Sequence, residues 1–379
     1  MNLAQRCLRA RTAASRAAVS CLLMLCLIPK ALPADNPTPK PERLPANDLF
    51  VFHKPNGNAA RVQSLGDWQR RRAEIVEGMQ AVMGPLPGNE KRCPLDVQIE
   101  REVDGGSYLR RLITYRSEPG SRVPAYLLVP KSALLGAKKV PAVLALHPTD
   151  RDYGKRVIVE ELRPYYWPYG RDLAERGYIV LAPAYPLMAE YQPDLKALGY
   201  QSGTMKAIWD NIRGLDLLES FPCVQKGRIG AIGHSLGGHN ALFTAVFDPR
   251  IQVLVSSCGF DSFADYYGGD PAKWQAGSGW CQDCYMPRLA QYGGRLSDIP
   301  FDFYEVLGAL APLPVFVNAP LQDENFGCHS VDRVLASATA IYRLYGADHN
   351  VQLEHPDGGH SFPPKVREDA YRFLDEHLR

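Results

Sequence analysis

Six short, largely apolar runs set the tightest limit on what this chain can fold into: residues 142–146, 179–183, 229–232, 253–256, 315–318 and 351–354. Each is too short for an ordinary helix. Stretches with helical spacing lie between and around them, at 171–176, 205–220, 236–247, 330–345 and 365–377. Strands buried on both faces read as continuous apolar runs, and their alternation with helices implies a parallel sheet covered on both sides. Upstream, the extended segments 95–103, 108–115 and 124–129 are separated by the turn signals Gly105-Gly106 and Pro119-Gly120, so the sheet is expected to begin antiparallel. The expected fold class is α/β, with a mostly parallel central sheet of about eight strands flanked by helices. With 46% hydrophobic and 22% charged residues, the chain can fill such a core.

The first 34 residues have a different character. Arg6, Arg9, Arg11 and Arg16 precede an apolar run at 17–28, and Leu32-Pro33-Ala34 follows it. Basic, then apolar, then small is the order of a secretory signal peptide, and the run is shorter than the roughly 20 residues of a membrane span. Residues 1–34 are therefore expected to be removed, leaving a secreted or periplasmic protein without a membrane span. Pro37, Pro39, Pro41 and Pro45 mark an extended tether, expected over 35–65. One domain is expected over 66–379, opened by a helix at 66–83 with Trp68, Ile75, Met79 and Val82 on its apolar side and Arg70, Arg71, Arg72 and Glu77 largely opposite.

Losing the leader takes the basic residues from 43 to 38 against 41 acidic ones, so no positive stripe remains for a nucleic acid. Six cysteines stay: Cys93, Cys223, Cys258, Cys281, Cys284 and Cys328. In an oxidising compartment they could pair, but spacing does not say how. Cys281 and Cys284 have Cys-x-x-Cys spacing without a second pair, a poor zinc signal, and no metal or organic cofactor is expected.

The chemistry centres on Gly233-His234-Ser235-Leu236-Gly237-Gly238, placed where the buried run 229–232 must pass abruptly into a helix. A Ser on such a turn is thrust out above the sheet, with glycines beside it because side chains there would collide with strand and helix. Its hydroxyl is a poor nucleophile until a His takes the proton and a carboxylate orients that His. Asp323 follows the run ending at Asn318, and His360 follows the last run behind Gly358-Gly359, so all three fall at the carboxyl ends of strands in the order Ser, acid, His. Asp261, after the run ending at 256, is an alternative acid. Glu324 should point elsewhere. His355 suits a strand end, and His234 and His239 suit packing or hydrogen bonding beside the turn. The Leu236 N–H and the N–H of Thr149, in the loop His147-Pro148-Thr149-Asp150, are the expected oxyanion donors, since Pro148 has none.

On these residues the chain resembles the α/β-hydrolase superfamily from about residue 95 to the end, and within it the dienelactone-hydrolase, acetyl-xylan-esterase and prolyl-oligopeptidase-like cluster. Asp210, Arg213 and Asp216 followed by a Gly-Arg-Ile-Gly strand start add to the likeness. The chain departs from the peptidases at Leu236, where they usually carry an aromatic residue, and from dienelactone hydrolases, which use Cys where Ser235 stands. The resemblance implies fold and reaction class rather than substrate. Residues 261–304 break the strand-helix rhythm and carry Tyr266, Tyr267, Trp274, Trp280, Tyr285, Tyr292, Phe301, Phe303 and Tyr304. They read as a cap whose rings either face a sugar or aromatic acyl group or pack the insertion onto the body. The expected function is ester hydrolysis, including an acetyl or feruloyl carbohydrate ester as substrate. A serine peptidase and a catalytically silent binding protein are the alternatives.

Overall fold

A computed structural model of the chain describes residues 42–136, 139–160, 162 and 168–379. The expected signal peptide and the start of the tether lie outside them. Residues 42–65 are not the extended tether expected from the prolines. They form a small antiparallel pair, β1 (Val51–His53) and β2 (Ala59–Arg61), and bury Leu44, Leu49, Phe52 and Val62 against the body. Four apolar side chains at irregular spacing suffice to dock a segment with no periodicity of its own.

The segment is fastened by charge. Helix α1 (Leu65–Met83) starts at Ser64, whose Oγ accepts the Asp67 N–H, and buries Trp68, Ile75, Met79 and Val82 as its spacing foretells. Arg71, expected on the polar side, is buried too, because Glu305 of α6 (Phe303–Ala309) lies fully buried against it. Glu305 also takes Arg43 (Nη1···Oε1 2.7 Å), tying the N-terminal segment, α1 and α6 to one carboxylate.

The main sheet follows. Strands β3 (Gln98–Asp104), β4 (Tyr108–Glu118) and β5 (Ser121–Pro130) run antiparallel. A short helix α2 (Lys131–Leu134) leads to β6 (Val140–Leu146), and the parallel part continues through α3 (Tyr169–Glu175), β7 (Ile179–Pro183), α4 (Gly203–Ser220), β8 (Val224–His234), α5 (Leu236–Phe247) and β9 (Ile251–Ser257). After the insertion and α6 come β10 (Val315–Asn318), α7 (Cys328–Leu344), β11 (Val351–Glu354) and α8 (Pro364–Leu378). The sheet has nine strands, one more than expected, in the order β11-β10-β9-β8-β6-β7-β5-β4-β3.

Alternate residues of the central strands feed two separate cores. Ala142, Leu144 and Leu146 of β6 join Ile179 and Leu181 of β7 on the face carrying α1, α4, α5 and α7. Val143 and Ala145 join Val180, Ala182, Val253 and Val255 on the face carrying α3 and α8. Burial on both sides is why these strands lack polar alternation.

The strands also end level. Leu146 pairs with Gly233, His234 with Ser257, Ser257 with Asn318 and Asn318 with Glu354. Four loops therefore leave the same edge, and β6 sits where the order reverses, with β7 on one side and β8 on the other, the crevice in which open α/β sheets bind ligands. The Glu305 clamp is testable apart from any chemistry. Glu305→Ala, which leaves two guanidinium groups facing a buried gap, should cost about 3–5 kcal/mol in urea unfolding; a loss under about 1 kcal/mol would mean that apolar docking alone holds residues 42–64.

Candidate active site

The turn from β8 to α5 is set by close backbone approach. A Cβ on Gly237 would fall 2.0 Å from the Leu146 carbonyl oxygen, one on Gly233 2.1 Å from the Gly237 carbonyl, and one on Gly238 2.8 Å from Gly259 Cα. Only glycines let the helix begin this near the strand ends. Ser235 at the apex has φ 54° and ψ −120°, an unfavourable conformation for a residue with a side chain, costing about 1–3 kcal/mol. Its N–H is held by the Ser257 carbonyl (2.8 Å) and its carbonyl accepts from Gly238 N (2.8 Å). Leu236 is the first residue of α5, so its N–H belongs to the free N-terminal end of the helix, where the dipole favours negative charge.

Asp323 and His360 meet. His360 Nδ1 lies 2.8 Å from Asp323 Oδ2, and the carboxylate's other oxygen accepts from Asn325 N (2.9 Å) and Phe326 N (3.2 Å). The two loops are tied together by the Gln322 N–H to the Gly358 carbonyl (3.0 Å), where Gly358 turns at φ 112°. Ser235 and His360 line one cavity of about 400 Å³ with Thr149, Leu236, His239 and residues of the insertion. Asp261, the alternative acid, is engaged elsewhere: its Oδ2 accepts the Gly327 N–H (3.1 Å), and burial pushes its carboxyl up to about 8. Glu324 is exposed, and His355 is held at its strand end by Asp332 (2.9 Å).

One support, Asn318, was not visible in the sequence; the other, His234, takes the packing and hydrogen-bonding place expected of it. Asn318, the last residue of β10, donates to Ser257 Oγ (2.8 Å) and to the Ser361 carbonyl (2.9 Å), fixing the residue next to His360. His234 joins the same chain through Nδ1 and Ser257 Oγ (2.9 Å) and packs 5.0 Å from the His360 ring. Burial, then the neighbouring His360, holds His234 well below the ordinary imidazole range, so it is a neutral neighbour. Such polar residues at strand ends carry no periodic signal.

The loop after β6 is oriented by His147. Its Nε2 accepts the Tyr185 N–H (3.0 Å), which fixes the proton on Nδ1, 2.7 Å from the Pro148 carbonyl. Burial lowers this imidazole to about 4, keeping it neutral. Thr149 reaches the cavity and its Oγ1 bonds Tyr285 of the insertion (2.7 Å).

The insertion covers the cavity as a string of 3₁₀ turns. Tyr266, Tyr267, Trp280 and Tyr285 face the cavity, while Trp274, Phe301 and Phe303 pack inward, so the aromatic residues divide between the two roles. The cap is pinned by Gly203 N to Asp283 O (2.9 Å), Tyr185 Oη to Cys284 O (2.8 Å) and Tyr267 N to Asn325 O (3.1 Å). The six cysteines among the described residues carry free thiols.

Among the described residues, the group with ligand atoms close enough to hold a metal is Cys258, Asp323 and His360, within 4.8 Å of one another. Burial and the Asp323 charge push the Cys258 thiol well up, so it stays S–H and donates to the Ser361 carbonyl (3.3 Å). A buried neutral thiol behind a paired His and carboxylate suits packing better than coordination.

His239 is buried between Trp280 (4.6 Å) and Tyr285 (5.9 Å), and burial lowers it to about 3. The unfolded chain takes up this proton near pH 6.5 and the folded one only near 3, so stability falls as pH drops through that window, by about 1.4 kcal/mol per pH unit. His239→Phe should remove this slope, gaining about 2 kcal/mol over wild type between pH 6.5 and 5; parallel urea-unfolding profiles for the two proteins would refute it.

Known proteins agree with this architecture. A family model for glucuronyl esterases of fungi matches residues 197–346. A Bacillus subtilis protein with the provisional name hydrolase YtaP is 27% identical over 317 residues, 81% of this chain and 100% of that one. The 4-O-methyl-glucuronoyl methylesterase 1 of Wolfiporia cocos is 24% identical over 403 residues, 96% of this chain and 91% of that one. The solved glucuronoyl esterase from Solibacter usitatus superposes with a TM-score of 0.70 at 17% identity, covering 90% of this chain and 99% of that one. With this strand order, this turn at Ser235 and these structural neighbours, the chain has the α/β-hydrolase fold.

Proposed function

We propose that this protein is a secreted carbohydrate esterase that hydrolyses the ester of a uronic acid, of glucuronoyl type, through a Ser235-His360-Asp323 acyl-enzyme. The observation that carries the reading is the hydrogen-bonded Asp323–His360 pair on the wall of a cavity that Ser235 shares. The glucuronyl esterase match and the two methylesterase relatives among the curated proteins favour a uronate over the acetyl or feruloyl group. Removal of residues 1–34 would deliver the enzyme to the compartment where polysaccharide lies.

In the first step Ser235 Oγ attacks the ester carbonyl as His360 Nε2 accepts its proton. Asp323 holds the imidazole by Nδ1 and stabilises its cation. The N–H groups of Leu236 and Thr149 receive the oxyanion, which the dipole at the start of α5 also favours. His360 then protonates the departing alcohol, and water repeats the sequence on the acyl-enzyme. Rings of Trp280, Tyr266 and Tyr267 offer flat apolar faces to a sugar, and Gln282 and Asn325 offer polar contacts to its hydroxyls.

The test is turnover of methyl and benzyl glucuronate beside p-nitrophenyl acetate and a feruloyl ester, with fluorophosphonate labelling of the same preparations. The glucuronate esters should be preferred. Ser235→Ala should lose labelling and at least about 10⁴-fold in kcat, and Asp323→Asn about 10²–10⁴-fold. Turnover of acetyl or feruloyl esters alone would overturn the uronate assignment, and undiminished labelling of Ser235→Ala would overturn the nucleophile.

A further inference from the structure

The wall of the active-site cavity is electrically one-sided. Among the described residues that line it there is no Asp or Glu, and one side chain with a permanent charge, Lys273 of the insertion. His234 and His239 do not balance or add to it, since burial keeps both imidazoles neutral at ordinary pH.

Lys273 is half-buried and has no carboxylate partner among the described residues, although this chain pairs most of its other buried cations. The nearest acid on its own turn, Asp270, is used in capping Ala272 N (2.9 Å). Glu324 lies near Tyr267 but is exposed and outside the cavity wall. What holds Lys273 is a ring: its Nζ sits 4.2 Å from the Tyr267 centroid. Tyr267 is itself fixed at φ 50°, ψ 40° by its N–H to the Asn325 carbonyl (3.1 Å), in the loop that carries Asp323. An ammonium group placed by a ring, without a counter-ion, on the wall of a carboxylate-free cavity is arranged for an anion that arrives with the ligand.

This deepens the uronate reading and rests on it. The esterified uronate that reacts at Ser235 is uncharged at its carbonyl, so its own carboxyl group offers Lys273 no charge. We propose that Lys273 forms a carboxylate subsite for a second, free uronate on the same saccharide, making partially esterified acidic oligosaccharides the preferred substrates. Selectivity of this kind, from one partly exposed ion pair, amounts to about fivefold to tenfold and weakens with salt.

The experiment compares two trisaccharides, both with one methyl-esterified uronate. The first keeps its other two carboxylates, and the second has them reduced to primary alcohols. In wild type the ratio of kcat/KM, charged over reduced, should be about 5 to 10 at low salt and approach 1 at 0.5 M NaCl. Lys273→Gln should bring it close to 1 at all salt concentrations, and Lys273→Arg should retain it. A second readout needs no turnover: calorimetric binding of the fully de-esterified trisaccharide to Ser235→Ala, with and without Lys273→Gln, should weaken several-fold in the double variant. A ratio near 1 in wild type, or one unchanged in Lys273→Gln, overturns the subsite. Absence of glucuronate-ester turnover with Lys273-dependent binding would instead overturn the substrate reading and leave the subsite standing.

Discussion

Everything in this molecule that could do chemistry depends on how near the first turn of α5 comes to the end of β6. The Leu146 carbonyl and the Gly237 backbone are so close that no side chain fits between them. That contact lets β8 stop and α5 start without an intervening loop, and it forces Ser235 into its strained conformation at the rim. The strain is sustained because the residues around it are over-determined: the Ser257 carbonyl holds the Ser235 N–H, and Gly238 stacks on Gly259. Since Leu146, Gly233, Ser256 and the residues after them end in register, the same packing that exposes Ser235 brings the loops of Thr149, Asp323 and His360 to its level. Rigid strands thus do the positioning, and the loops need only short spans to complete it.

The insertion adds a wall to that frame. It is anchored on three sides, to the start of α4, to the loop after β6 through Tyr285 and Thr149, and to the Asp323 loop through Tyr267. These anchors matter more than its irregular secondary structure, for they make rings, Gln282 and Lys273 fixed parts of the wall. A substrate that contacts Tyr285 is therefore coupled to the position of Thr149, and one that contacts Tyr267 to the loop of Asp323.

Much of this was legible in the sequence because two signals agree. Apolar runs at 179–183 and 315–318 coincide with β7 and β10, since strands buried on both faces leave little latitude; the segment 351–354 coincides with the half-buried edge strand β11, and the helix at 236–247 with α5. The meeting of Asp323 and His360 follows from chain order and strand ends alone. Arg71 and residues 42–64 were misread for one reason: Glu305, the group that draws Arg71 inward, lies 234 residues away, and periodicity reports a helix's own faces but not a distant counter-charge. Asn318 and Cys258 escaped because single polar residues at strand ends have no pattern. In the cap, ring composition was plain, yet which rings turn inward depends on 3₁₀ turns that leave no repeat.

The two acids below His360 illustrate how position divides roles between like groups. Asp261 and Asp323 both follow strand ends and both are buried. Asp323 collects three donors, from Asn325, Phe326 and His360, whereas Asp261 has the single N–H of Gly327 and one oxygen without a partner. Burial, and after it the charges of Asp265, Asp302 and Asp323, outweigh that one donor and raise the Asp261 carboxyl to about 8. A protonated Asp261 can brace the Asp323 loop through Gly327 without competing for the imidazole. The donors that Asn325 and Phe326 supply come from the loop that Tyr267 of the insertion grips, so the cap that shapes the cavity also steadies the carboxylate that holds His360.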